Sequence, residues 1–143
     1  MLDSGTVLGI DHGAARIGIA LSDPLGITAR PLETIHTGET DPLARIEQLV
    51  RDHSVKAIVI GLPLRMNDSE GPQAEAARAF AAALKPCLPD GIPIHLVDER
   101  LSTREAEKHL ARSGKKGGRK ANKDLIDQAA AAVILQDYLD NGC

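Results

Sequence analysis

Apolar residues along this chain fall in short runs between breakers, and their spacing changes from strand-like to helix-like. Residues 6–12 (TVLGIDH) and 15–23 (ARIGIALSD) are rich in Val, Ile and Leu. Gly13 and Ala14 separate them, and the pair predicts a β-hairpin. Residues 31–36 (PLETIH) alternate apolar and polar positions and predict a third strand. Asp41-Pro42 then opens a helix, because proline suits a first turn whose amides have no carbonyl to bond. Leu43, Ile46, Leu49 and Val50 recur at helical spacing through about residue 53. Residues 55–60 (VKAIVI) form an apolar run that stops at Gly61 and predict a strand. Residues 62–72 (LPLRMNDSEGP) are full of breakers and read as a loop. An Ala-rich helix follows over 73–84, with Ala77, Phe80, Ala81 and Leu84 on one face. Residues 92–97 predict a further strand. Ser102 and Glu105 have capping-box spacing, so a helix is expected over about 103–112. A final helix is expected over about 122–139.

The predicted order is β-β-β-α-β-α-β-α-α. Three antiparallel strands, then strands joined through helices, make a mixed five-stranded sheet with helices on its faces. The 143 residues suit one domain over 1–143, long enough to bury a real core. No internal repeat or linker divides it.

Charge changes the picture more than composition does. The formal net charge is −3, which does not advertise a polyanion partner. Yet residues 112–123 (RSGKKGGRKANK) carry six basic side chains and no acid. The rest of the chain holds 11 basic residues against 20 acidic ones, a net −9. An acidic body with one concentrated basic segment can still steer and hold nucleic acid. A solvated Gly/Lys linker is the ordinary alternative. The only aromatics are Phe80 and Tyr138, so any grip on nucleic acid must fall on backbone and shape rather than on stacked bases. Cys87 and Cys143 lack metal spacing and read as reduced thiols. No basic stretch leads an apolar run at the N-terminus, and no segment approaches membrane-spanning length. The expected compartment is the cytoplasm.

Acids at three places in the chain are candidates for a shared site. Asp11 ends the first apolar strand, between Gly9 and Gly13, which leave room for a metal or phosphate to approach the backbone. A turn-forming Asp is an equally good reading of that segment alone. Asp98 and Glu99 end the 92–97 strand. Neighbouring strand residues face opposite sides, so one of the two faces a shared site. An ion pair with Arg100 or Arg104 is the ordinary alternative. Asp127 is the most telling, because Ala130, Ala131 and Ile134 make its side of the helix a packing face. A charge there needs a partner, either Lys123 one turn earlier or a metal shared with Asp11 and Glu99.

Carboxylates gathered in one cleft repel. A like-charged pair at ~4 Å costs on the order of 4 kcal/mol at an effective dielectric of ~20. A hard divalent cation offsets that cost, and oxygen ligands suit Mg²⁺ or Mn²⁺. His/Cys clusters for zinc, a nucleophile triad and a Walker loop with its lysine are all missing from the sequence. Metal-assisted phosphodiester chemistry remains.

The segment from Gly9 to Asp23 (GIDHGAARIGIALSD) resembles the opening motif of the bacterial YqgF/RuvX family. So do residues 60–63 (IGLP) with 66–73 (MNDSEGPQ), residues 97–103 (VDERLST), and residues 120–139 with their DQAA and ILQDYL segments. The blocks occur in family order and cover nearly the whole chain. The resemblance implies a ribonuclease H-like fold. It implies that Asp11, Glu99 and Asp127 are the metal-binding acids. It implies a nuclease that trims the 5′ end of precursor 16S ribosomal RNA. The family has also been described, by fold analogy, as Holliday junction resolvases.

Arg16, Arg100, Lys115, Lys116, Arg119 and Lys120 are candidates for phosphate contacts. Ser102 and Thr103 suit capping better than substrate contact. His12 adjoins the first acid but has no further support as a catalytic group. The working expectation is an endonuclease on structured RNA, in the context of the ribosomal particle, as monomer or homodimer. Branched DNA is the alternative substrate. A non-catalytic RNA-binding factor acting through the basic segment ranks below both. An actin-like ATPase ranks lowest, since such proteins need two domains around the nucleotide.

Overall fold

The computed structural model describes residues 5–63, 71–98 and 119–141, with no side-chain description for 119–122. Strands β1 (Thr6–His12), β2 (Arg16–Ser22) and β3 (Ala29–His36) follow one another. Helix α1 (Pro42–Asp52) leads into β4 (Val55–Leu62). Helix α2 (Pro72–Leu84) and a 3-10 turn (Lys85–Cys87) lead into β5 (Ile94–Asp98). Helix α3 (Arg119–Asn141) ends the described chain. The strands form one sheet in the order β3-β2-β1-β4-β5. The β3-β2-β1 half is antiparallel, and β1, β4 and β5 are parallel.

Strand alternation divides the core between two faces. Leu8 and Ile10 of β1, Ile17, Ile19 and Leu21 of β2, and Ile58 and Ile60 of β4 meet α1 and α2. Their helix partners include Ile46, Leu49, Val50, Ala74, Ala77 and Leu84. Most of these side chains are fully buried, and each large one contributes roughly 1.5–3 kcal/mol. On the other face, Val7, Ala20 and Val59 meet Ala131, Ile134 and Leu135 of α3.

The α3 face is thin because both layers carry small residues. A β-carbon at Gly9 would stand 2.8 Å from Leu135 Cβ and 3.1 Å from the Ala131 carbonyl oxygen. The helix therefore rests on the bare backbone of the central strands. Glycine inside a strand weakens it, and close backbone approach is the usual compensation.

The sequence-derived elements recur with small boundary shifts. Asp41 caps α1 by accepting from the Leu43 amide, with Pro42 in the first turn. β3 starts earlier than the 31–36 alternation indicated and runs through Pro31. It is an edge strand, the place where a missing N–H breaks no ladder. The β2–β3 turn is built on Asp23, which accepts from the Leu25, Ile27 and Thr28 amides. Those bonds, the Thr28 one foremost, hold its carboxyl below the usual carboxylate range. α3 is longer than the predicted 122–139. The expected 103–112 helix and most of the 62–72 loop lie outside the described residues. Among the described residues, no helix is long and apolar enough to cross a membrane.

Candidate active site

Strand parity sorts the residues at the end of β1. Val7, Gly9 and Asp11 point toward α3, while Leu8, Ile10 and His12 belong to the opposite face. Asp11 pairs across the ladder with Gly18 of β2. Gly18 is bare, and the backbone of Asp127 stands directly over it. A β-carbon at Gly18 would overlap the Asp127 carbonyl and lie 3.1 Å from Asp127 Cβ. The missing side chain at Gly18 thus brings Asp127 down onto the strand position opposite Asp11.

Asp127 leans on a packed surface, since Ala130, Ala131 and Ile134 are buried. Its own side chain is 17% exposed. The charge is met by Arg16, the first residue of β2, whose Nε donates to Asp127 Oδ2 at 2.6 Å. A charge-assisted bond this short is among the stronger side-chain contacts. Lys123, the partner that helix spacing offered, is exposed.

Three polar contacts from β3 fix the turn of α3 that carries Asp127. Thr34 Oγ1 donates to the Asp124 carbonyl at 2.8 Å. Gln128 Nε2 donates to Thr34 Oγ1 at 3.2 Å. His36 Nε2 lies 3.0 Å from Asp124 Oδ2. Asp124 Oδ1 is buried and, among the described residues, has no hydrogen-bond partner. Further along, Gln136 accepts from the Ala29 amide and donates to the Ile27 carbonyl. Sequence reasoning passed over Gly18, Thr34, His36 and Gln128 as functional residues. A signal existed for two of them, because Thr34 and His36 are the polar half of an alternating strand.

His12 packs its ring on Phe80, with centroids 4.7 Å apart. Burial lowers its pKa and favours the neutral imidazole. It faces away from Asp11 and Asp127. At the end of β5, Asp98 is exposed and shares strand parity with Ile94 and Leu96, which pack toward α1 and α2. His95 and Val97 have the other parity. His95 stacks on Tyr138 of α3, and Val97 joins the α3-side cluster.

Glu99, Arg100, Lys115 and Lys116 lie outside the described residues, as do the side chains of Arg119 and Lys120. Among the described residues, no three His, Cys, Asp or Glu side chains gather into a metal-holding group. The described part of the site is therefore two carboxylates, Asp11 and Asp127, about one bare glycine, with one arginine on the second acid. Hard oxygen donors and a locally required positive charge fit Mg²⁺ or Mn²⁺.

The chain is similar to known proteins over almost its whole length. The family model described as "RuvX: Holliday junction resolvase" matches residues 5–141. A protein of Thermobifida fusca (strain YX), provisionally named a pre-16S rRNA nuclease, is 48% identical over 143 residues. That alignment covers 96% of this chain and 88% of the relative. A protein of the same provisional name from Lachnospira eligens is 45% identical over 139 residues, covering 94% of this chain and 96% of the relative. Among solved structures, Thermus thermophilus RuvC covers 96% of both chains with a TM-score of 0.50 at 19% identity. That likeness is one of fold, and it makes the mixed sheet ribonuclease H-like. The match over residues 5–141 and the relatives near 45% identity settle the family: the chain belongs to the RuvX (YqgF) family.

Proposed function

We propose that residues 1–143 form one nuclease domain that hydrolyses phosphodiesters in precursor 16S rRNA, trimming its 5′ end during ribosome biogenesis in the cytoplasm. One observation carries the reading. Asp127 is an acid on an otherwise packed helix face, seated over Gly18 opposite Asp11, with a cation already drawn to it. Relatives at 45–48% identity over nearly the whole chain bear the name pre-16S rRNA nuclease, and this supports the substrate.

Asp11, Asp127 and Glu99 would hold Mg²⁺ or Mn²⁺. The parity of Asp98 puts it on the wrong face for the other two acids, which supports taking the third carboxylate from Glu99. A bound divalent ion supplies charge neutralisation, an activated water and support for the leaving oxygen. The protein's own task is positional. Asp11 is set by its ladder pairing with Gly18. Asp127 is set by the bare glycine beneath it and by the β3 contacts to its turn. Arg16, Arg100, Lys115, Lys116, Arg119 and Lys120 are assigned to the phosphate backbone.

Junction resolution is the second reading, favoured by the family model's description and by the RuvC-like fold. The discriminating experiment compares a 5′-extended 16S precursor, free and within the ribosomal particle, with a four-way DNA junction. Cleavage of the precursor in preference to the junction is expected. Preference for the junction, with dimers on sizing, would move the protein to recombination. Correct 16S maturation in cells carrying only Asp11→Asn would leave a binding factor instead of an enzyme.

The basic segment has its own expected outcome. The logarithm of precursor affinity should fall linearly with log salt, and replacing Lys115, Lys116, Arg119 and Lys120 with glutamine should shallow that slope by about 3. Filter binding at several salt concentrations reads this directly. An unchanged slope returns the segment to a solvated linker.

A further inference from the structure

The Arg16–Asp127 contact joins two roles that the proposed function keeps apart, a metal ligand and a phosphate contact. We propose that Arg16 is a positioning residue, a built-in counter-cation that holds Asp127 in the cation-free protein and is displaced when a divalent ion enters. The proposal rests on the nuclease reading above.

The geometry says which partner moves. The Asp127 backbone sits on Gly18, and Thr34 ties down the same helical turn through the Asp124 carbonyl and Gln128, on a helix whose next turn is buried. Its backbone stays where it is, and Arg16 sets the direction of its carboxylate. Among the described residues, Arg16 is held by its backbone pairing with His36 at the start of β2 and by the Asp127 contact itself. Its long side chain is 33% exposed, about twice the exposure of Asp127. A guanidinium and a divalent ion on one carboxylate repel each other. The divalent ion carries twice the charge and bonds the oxygen directly, so the guanidinium gives way. Once released, it presents its fork of donors to a substrate phosphate.

Two consequences separate this from a simple structural clamp. Removing the arginine charge should tighten metal binding while weakening substrate binding. Metal and substrate should also favour each other, because each draws the arginine away from the other's competitor, and such coupling is reciprocal.

The test is calorimetric titration of Mg²⁺ and Mn²⁺ into the wild type, Arg16→Gln and Arg16→Lys, with KM and kcat measured on precursor RNA. Arg16→Gln should bind the ion about tenfold tighter or more yet show a raised KM. Arg16→Lys, which keeps the charge, should stay near wild type in ion affinity. The wild type supplies a check that needs no variant: the Arg16 Nε–H resonance should move toward its solvent position as Mg²⁺ is added. Wild type that binds no divalent ion removes the nuclease reading together with this proposal. Wild type that binds it, with an unmoved Nε–H and no tightening in Arg16→Gln, removes the counter-cation alone.

Discussion

Gly18→Ala is expected to cut cleavage by about a hundredfold or more, through a methyl group that touches no substrate. The added carbon would overlap the Asp127 carbonyl, which is helix backbone and cannot rotate away. Helix α3 would have to lift. It is tied down on both sides of that point, by the bonds of its Asp124 and Gln128 to Thr34 and His36 of β3 and by Leu135 against Gly9. The strain should cost about 1–3 kcal/mol of stability. The larger effect is on chemistry, since a misplacement of about 1 Å can cost roughly a hundredfold in rate. Gly38→Ala is the matched control, because a β-carbon there meets nothing within 4 Å. Denaturant midpoints and kcat for both variants check the prediction. Full activity in Gly18→Ala would mean that the seat beneath Asp127 does not matter.

Asp127→Asn and Asp11→Asn should separate activity from stability in the opposite way. Each removes a proposed metal ligand while keeping size and shape. Cleavage should fall by more than the roughly 100-fold that loss of an outer-shell partner costs a metal site. Stability should change by less than about 1 kcal/mol in Asp127→Asn, because Arg16 is partly exposed and can be rehydrated. Thermal melts beside single-turnover rates read both. A variant that loses its fold along with its activity would instead make the acid structural.

Much of the fold was legible because the sheet face toward α1 and α2 leaves clear periodicities. Alternating Ile and Leu in β1, β2 and β4 marked the face toward α1 and α2. The spacing of Ile46, Leu49 and Val50 marked α1, and Asp41-Pro42 marked its start. The other face was harder to read. It is built from Val7, Gly9, Gly18 and Ala20 against alanines of α3, and small residues carry little hydrophobic signal. Gly18 therefore passed as one more residue of a strand, although strand-interior glycine is itself a mark of close approach.

The site was legible in part for the same reason. Asp127 stood out because its helix neighbours were apolar. Its partner did not, because Arg16 is 111 residues away and only the β2–α3 packing brings the two together. Helix spacing could offer only Lys123. Asp98 and Glu99 could not be told apart in sequence because the direction of the strand end decides which faces the sheet's α3 side, and there His95 and Val97 face α3. The β3 clamp on Asp124 and Gln128 depends on contacts about 90 residues apart, which no local pattern encodes.

The central claim is that Asp11, Glu99 and Asp127 hold a divalent ion that this chain uses to cut RNA. The most direct measurement is cleavage of a 5′-extended 16S precursor by the purified protein across a Mg²⁺ and Mn²⁺ titration, beside Asp11→Asn, Glu99→Gln and Asp127→Asn. Cleavage is expected to appear with the ion, vanish in chelator and be lost in each variant. Cleavage that persists in chelator, or in all three variants, would contradict the claim.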